Sequence, residues 1–333
     1  MNEIVNDNYI LKIENMKKYF NIGKNAKTPI FVRAVDGVNL KIKAGETLGL
    51  VGESGSGKST IAYTVVGMYK PTSGKIIFKG KSIGVETSNR SFETKKEIQI
   101  VFQDPGSSLN PKRTIEQILG LPLKIHTKMS KKQRNERLAQ LMEIVDLSPD
   151  YLKKVPPSIG GGEKQMIAIA RALAPDPSLI IHDEPTSALD VSVQAKIINK
   201  LLEIQRKMQL TYLFITHDLS VMRNVASDIA IMYLGKICEI AKAATFFEEP
   251  LHPYTKMLIS SVPVISEEEE KLKPKRIISK GEIPSPVNIP PGCSFHYRCP
   301  YKMPICSEVD PEMVEYSPNH FVRCHLFADK GGK

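Results

Sequence analysis

One glycine-rich turn constrains this chain more than any other feature. The short apolar run Leu48-Gly49-Leu50-Val51 passes directly into Gly52-Glu53-Ser54-Gly55-Ser56-Gly57-Lys58-Ser59, and a helix-like run begins at Lys58. Every fixed position of the pattern G-x-x-x-x-G-K-[ST] is filled, and the strand, loop and helix context that its mechanism demands is present. Such a loop turns backbone N–H groups toward phosphate at the positive end of a helix. Gly52, Ser54, Gly55, Ser56, Gly57 and Thr60 are therefore expected around the phosphates of a nucleotide. Lys58 is expected to reach the terminal phosphates, and the Ser59 hydroxyl to ligate magnesium.

Downstream, a buried-type strand Leu179-Ile180-Ile181-His182 delivers Asp183 and Glu184 together. An open α/β fold binds its ligand at the carboxyl ends of its strands, so both carboxylates are expected beside the phosphates. Asp183 would hold magnesium, and Glu184, pointing the other way, could polarise a water as general base. His217, after a strand at 212–215, is expected at the edge of the same site. Helices predicted over 163–173 and 193–208 alternate with these strands, which implies a parallel sheet. Before the glycine-rich turn, residues 9–47 alternate apolar and polar side chains, with Asp36-Gly37 between two runs, and read as antiparallel strands and hairpins. A mostly helical insert is expected over about 103–159. No internal repeat is visible.

With 333 residues, 41% hydrophobic and 25% charged, the chain has an ordinary globular composition and room for more than one compact unit. No apolar run approaches the roughly 18 to 20 residues needed to cross a bilayer, and Met1-Asn2-Glu3 does not open a signal peptide, so the chain is expected in the cytoplasm. Its net charge of +10 comes from lysines scattered along the chain, which reads as a solvated surface rather than a nucleic-acid tract. Cys238 stands alone and is expected to pack as a small buried side chain. Cys293, Cys299, Cys306 and Cys324 cluster in the tail, a distribution that suggests metal rather than a secretory disulfide framework.

The glycine-rich turn, the Asp183-Glu184 pair and His217 together resemble the ATP-binding cassette family over about residues 9–245. The resemblance implies a P-loop NTPase fold, RecA-like, with an antiparallel β subdomain and a helical subdomain. Gln103 then resembles the glutamine that couples magnesium to the membrane contact, Ser187-Ala188-Leu189-Asp190 resembles the D-loop, and His217 the switch histidine. Phe20 or its neighbour Tyr19 falls where the family stacks an aromatic ring on adenine. The family's signature, usually Leu-Ser-Gly-Gly-Gln, is altered here to Ile159-Gly160-Gly161-Gly162-Glu163, with its register fixed by the well-matched Ile167 to Leu173. Gly160 replaces a serine that would contact ATP held by the opposite subunit, which implies a heterodimer with a homologous ATPase and unequal sites.

Phe102-Gln103-Asp104-Pro105, Ser108-Leu109-Asn110-Pro111, His252-Pro253-Tyr254-Thr255 and Gly281-Glu282-Ile283-Pro284-Ser285-Pro286 resemble the peptide and nickel importer subfamily. That resemblance implies ATP hydrolysis powering import of di- or oligopeptides, with nickel chelates or oligosaccharides as other cargo. It implies a peripheral place on the cytoplasmic face of the membrane, two permease subunits as partners and an extracytoplasmic binding protein indirectly. The rival within the wider family, a soluble ATPase acting on nucleic acid or ribosomes, would carry two cassettes or a long coiled-coil insertion. The expected division is an ATPase domain over 1–250, with its helical subdomain near 104–165, and a C-terminal extension over 251–333. The extension comprises a linker at 262–291 and a cysteine-rich tail at 292–326, expected to form a separate small metal-binding unit. The tail cysteines are spaced by five, six and seventeen residues, which by itself leaves open a zinc ion or a cluster. Some relatives with this tail resemble [4Fe-4S] proteins, which implies a cluster held by Cys293, Cys299, Cys306 and Cys324, with zinc or free or disulfide-linked thiols as the alternatives. His296, His320 and His325 are expected to lie at the surface or behind the ligands.

Overall fold

A computed structural model describes residues 8–25, 28–187, 189–262 and 281–330. Two long strands, β1 (Tyr9–Asn25) and β2 (Thr28–Lys43), open the chain and precede β3 (Thr47–Val51) and α1 (Lys58–Val66). Then come β4 (Ser73–Phe78), β5 (Lys81–Ser82), α2 (Phe92–Glu97) and β6 (Ile98–Val101). A helical stretch follows, with α3 (Pro105–Ser108), α4 (Ile115–His126), α5 (Lys131–Ile144) and α6 (Gly161–Leu173). The alternating part comprises β7 (Leu179–Asp183), α7 (Val191–Met208), β8 (Thr211–Thr216), α8 (Leu219–Val225), β9 (Asp228–Tyr233) and β10 (Lys236–Lys242). Helices α9 (Ala243–Glu248) and α10 (Pro253–Ser260) lead to the tail strands β11 (Val314–Ser317) and β12 (His320–Val322).

The strands form a four-stranded sheet, β2-β1-β4-β5, and an eight-stranded sheet, β11-β12-β10-β9-β3-β8-β7-β6. β3 is the middle of the larger sheet, parallel to both β8 and β9. All five of its residues are buried, as a strand covered on both faces requires. Its alternation feeds two cores. Leu48 and Leu50 join the side chains of β1, β2, β4 and α1, whereas Val51 joins the core built from α4 to α8. α4 and α5 each begin with a reciprocal capping box, Thr114 with Gln117 and Ser130 with Gln133, which satisfies first-turn N–H groups that would otherwise be orphaned.

Asp36-Gly37 does not end a strand. β2 runs through both residues, and Gly37, at φ 73°, lies where the pairing with β1 shifts register between Met16 and Lys18, which pair with Val38 and Val35. Glycine here supplies a bulge rather than a turn. Nor is the tail a separate unit. β12 pairs antiparallel with β10, and Phe295 belongs to the larger core. The physical reason is a buried polar knot: Glu239 on β10, fully buried, accepts from the N–H groups of Leu251 and His252 and pairs with His320 Nε2 at 2.8 Å. His320 and His296 are thus buried rather than superficial. Cys238 is buried as expected. Most of the expected linker at 262–291 lies outside the described residues, as does Ala188 of the expected D-loop.

His182, on β7, is fully buried between Tyr212 and Phe214 of β8, and neither ring nitrogen has a hydrogen-bond partner. Burial pushes its pKa down to about 3. The ring is neutral in the folded chain at pH 7 and charges on unfolding below about pH 6.5, so folded stability falls as pH drops from 6.5 toward 3. His182→Leu should leave stability at pH 7 nearly unchanged and recover about 2 kcal/mol at pH 5. Urea unfolding at the two pH values checks this; equal acid sensitivity in both proteins contradicts it.

Candidate functional site

The glycine-rich loop leaves the carboxyl end of β3 and enters α1 pressed against two neighbouring strands. A Cβ on Gly57, whose φ is 110°, would sit 2.1 Å from the Ala34 carbonyl oxygen of β2. One on Gly52 would sit 2.2 Å from the Met232 carbonyl oxygen of β9. Only glycine fits either place. The loop and its flanks, from Gly52 to Thr60 apart from the buried Ser56, border a cleft that Val32, Ala34, Gln103, Glu184, His217, Leu258 and Pro286 complete.

Lys58 is nearly buried, and its ammonium donates to the carbonyls of Gly52, at 2.7 Å, and Glu53, at 3.0 Å. Burial lowers its pKa, opposed by the charges of Glu184, Asp183 and Glu53. Ser59 Oγ donates to Asp183 Oδ1 at 3.0 Å. Asp183 Oδ2 is buried and accepts no hydrogen bond, an arrangement suited to a cation beside the Ser59 hydroxyl. Burial raises the Asp183 pKa, against the opposing pull of the Ser59 and Tyr63 hydroxyls. The same surroundings push the Tyr63 phenol up to about 12, through burial first and the Asp183 charge second.

Glu184 departs from ordinary backbone geometry. Its φ is 48°, in the left-handed region that costs a non-glycine residue roughly 1 to 2 kcal/mol. Its N–H donates across to the Ile215 carbonyl, and its side chain borders the cleft. Glu184 Oε2 there meets His217 Nδ1 at 3.1 Å and Gln103 Nε2 at 3.2 Å. A carboxylate held this way can order a water and take its proton.

Some expected site residues are not gathered here. Gly161, Gly162 and Asp190 border a different cleft, between the start of α6 and the segment before α7. Gly160 is the N-cap of α6 and offers no side-chain cap. A Cβ built on it would lie 2.5 Å from Glu163 Oε2, so the Glu163 carboxylate folds back over the helix start where a serine would point. Neither Tyr19 nor Phe20 borders the phosphate cleft. The Tyr19 hydroxyl donates to Asp36 at 2.5 Å, whereas Phe20 packs edge-on to Tyr69 and stands directly across the ribbon from Val32.

No sequence signal marks Leu258 and Pro286, both beyond residue 250, as borders of the nucleotide cleft. Nor does any mark Arg298, whose guanidinium pairs with Glu53 in the phosphate loop itself. In the tail, Cys293, Cys299, Cys306 and Cys324 border one small void with His252, His296 and His325. Burial raises the Cys293 thiol to about 11 and the Cys324 thiol to about 12. Among the described residues, no three His, Cys, Asp or Glu side chains are gathered as donors to one metal ion.

The ABC transporter family pattern matches residues 35–187, and the oligopeptide/dipeptide transporter C-terminal region matches 238–306. The chain is 48% identical to the oligopeptide transport ATP-binding protein AppF of Bacillus subtilis, over 97% of this chain and 99% of that one. It is 41% identical to the oligopeptide transport ATP-binding protein OppF of Salmonella typhimurium, over 97% and 98%. Among solved structures it resembles cbiO1 of Clostridium perfringens, part of an ABC transporter complex, with a TM-score of 0.63 and 27% identity over 73% of this chain and 92% of that one. It also resembles the dimeric ATP-binding cassette MJ0796 bound to ADP and Pi, with a TM-score of 0.62 and 30% identity over 70% and 98%. A phosphate loop pinned between β2 and β9, a strained glutamate facing it and full-length similarity at this level lead to one conclusion: the chain belongs to the ABC transporter family, among the ATP-binding subunits that carry the oligopeptide/dipeptide transporter C-terminal region.

Proposed function

We propose that this chain is the ATP-hydrolysing subunit that powers import of di- or oligopeptides. It would sit peripherally on the cytoplasmic face of the membrane, beneath two permease subunits that receive cargo from an extracytoplasmic binding protein. Among the described residues no helix is long and apolar enough to cross a membrane. The observation that carries the catalytic reading is the convergence of Gln103 and His217 on one oxygen of Glu184, beside the Lys58 loop. The peptide cargo rests on the relatives and on the matched C-terminal region.

In this reading the loop N–H groups and Lys58 bind the ATP phosphates, and Glu184 Oε2 takes a proton from the attacking water. His217, on the same oxygen, orients that carboxylate and the γ-phosphate. Ser59, Asp183 and Gln103 hold magnesium, which when bound supplies neutralising charge to the phosphates. Phe20 rather than Tyr19 meets adenine, because Phe20 pairs across the ribbon with Val32, which borders the cleft. The helical subdomain at about 104–165 would then face the permeases, and Asp190 the second ATPase. In the assembled complex Glu184→Gln should lower magnesium-dependent ATP turnover roughly 100-fold or more while ATP still binds. Turnover within about threefold of the parent would contradict the assignment of the base.

The start of α6 supports a heterodimer with a homologous ATPase, in which Gly160, Gly161 and Gly162 close on nucleotide held by the partner. Gly160 brings no hydroxyl, and the Glu163 carboxylate lies over the helix start, where an approaching γ-phosphate meets like charge. That site is the weaker of two. The double substitution Gly160→Ser with Glu163→Gln should raise turnover roughly tenfold, the worth of about one hydrogen bond to a charged group. Gly160→Ser alone should do less, since its Cβ meets Glu163. Unchanged turnover in the double variant would contradict the inequality of the two sites.

Four thiols border one small void, a donor set that either a cluster or zinc would use, and the tail's resemblance to [4Fe-4S] proteins favours the cluster. A [4Fe-4S] group held by Cys293, Cys299, Cys306 and Cys324 would add a covalent staple to the β10–β12 attachment. Iron, sulfide and zinc determination on chain purified without oxygen should give about four irons and four sulfides. One zinc, or no metal, would overturn the assignment.

A further inference from the structure

The C-terminal tail reaches the phosphate loop through one contact that neither the loop motif nor the catalytic reading uses. Arg298 donates from Nη1 to Glu53 Oε2 at 2.7 Å and from Nη2 to Glu53 Oε1 at 2.9 Å, a two-pronged pair. The Arg298 side chain is only 9% exposed and that of Glu53 25%. The guanidinium lies over the rings of Tyr233 and Phe295, at 5.8 and 5.7 Å from their centroids, and these rings pack with Tyr254. Tyr254 Oη accepts the Glu53 N–H at 2.9 Å, and the Glu53 carbonyl accepts from Lys58 at 3.0 Å. Glu53 is thus held by its side chain, its N–H and its carbonyl at once. Two of the three holds come from beyond residue 250.

Glu53 fills a position that the loop motif leaves free, yet it carries a negative charge beside the binding place of a polyanion. Without compensation that carboxylate would repel the triphosphate, and most strongly in a cleft partly shielded from water. The fixed, planar guanidinium matches both carboxylate oxygens and cannot lose its proton. We propose that Arg298 is a positioning residue for nucleotide binding: it neutralises Glu53, turns its carboxylate away from the phosphates, and with Tyr254 fixes the loop in its binding shape. The folded tail is then part of the nucleotide site, whatever its cysteines hold. This rests on ATP occupying the Lys58 loop and is independent of the cargo.

The test is calorimetric titration of the purified full-length chain with Mg·ATP and Mg·ADP. Arg298→Gln should weaken ATP binding roughly tenfold, and ADP binding less because ADP carries less charge. Adding Glu53→Gln to Arg298→Gln should bring ATP affinity back to within about threefold of the parent, since the unpaired carboxylate is gone. A tie that served stability alone would leave the double variant as weak as the single one. Either that outcome or unaltered ATP binding by Arg298→Gln overturns the proposal. If Arg298→Gln does not fold, Glu53→Gln alone carries the test: it should bind ATP at least as tightly as the parent, and weaker binding overturns the proposal. Lys58→Ala is the control for the underlying reading, because its binding of ATP undiminished would show that the loop is not the ATP site.

Discussion

Everything in this molecule is arranged around backbone N–H groups that must face a phosphate from a loop with almost no volume. Gly52 and Gly57 abut the carbonyls of Met232 and Ala34 so closely that a methyl group has no place at either position. That packing needs β3 in the centre of the sheet, with β9 on one side, and the antiparallel ribbon folded over α1. The larger sheet is parallel around β3, so the carboxyl ends of β3, β7 and β8 lie at one edge. Lys58, Asp183, Glu184 and His217 all follow from those strand ends. The backbone strain at Glu184 is the local cost of turning a carboxylate into the cleft directly after Asp183, the strand residue that accepts from the Ser59 hydroxyl.

Much of the nucleotide site is legible in the sequence, because its chemistry is carried by contiguous runs whose spacing is itself the mechanism. The loop from Gly52 to Ser59 and the Asp183-Glu184 pair need only the knowledge that a strand precedes each. Strand and helix periods locate β3, β7, β8, α6 and α7 to within about two residues, the usual uncertainty of element ends. Asp36-Gly37 misleads because a glycine with positive φ serves a bulge as well as a turn, and only the register of β1 against β2 distinguishes them.

The attachment of the tail is not legible, and the reason is sequence separation. His320 meets Glu239 across 81 residues and Arg298 meets Glu53 across 245. Nothing local requires either pairing: a histidine in a polar tail reads as solvated, and a glutamate in a free motif position reads as tolerated. The composition shift and the proline-bearing segment suggest an independent unit, yet β12 extends the main sheet and Phe295 fills its core. Buried polar groups need partners, and the carboxylate of Glu239 finds its own in Leu251, His252 and His320. The C-terminal region is thereby built into the ATPase.

Whether ATP spent in this cleft drives peptides inward is decided by reconstituting the chain with the proposed partners, a homologous ATPase, two permeases and a binding protein, in vesicles, and measuring entry of a labelled oligopeptide. Uptake should require ATP on the side exposed to this chain and should stop when Glu184 is replaced by glutamine. Uptake indifferent to ATP, or ATP-driven uptake of a nickel chelate or sugar with none of peptide, would contradict the proposed role.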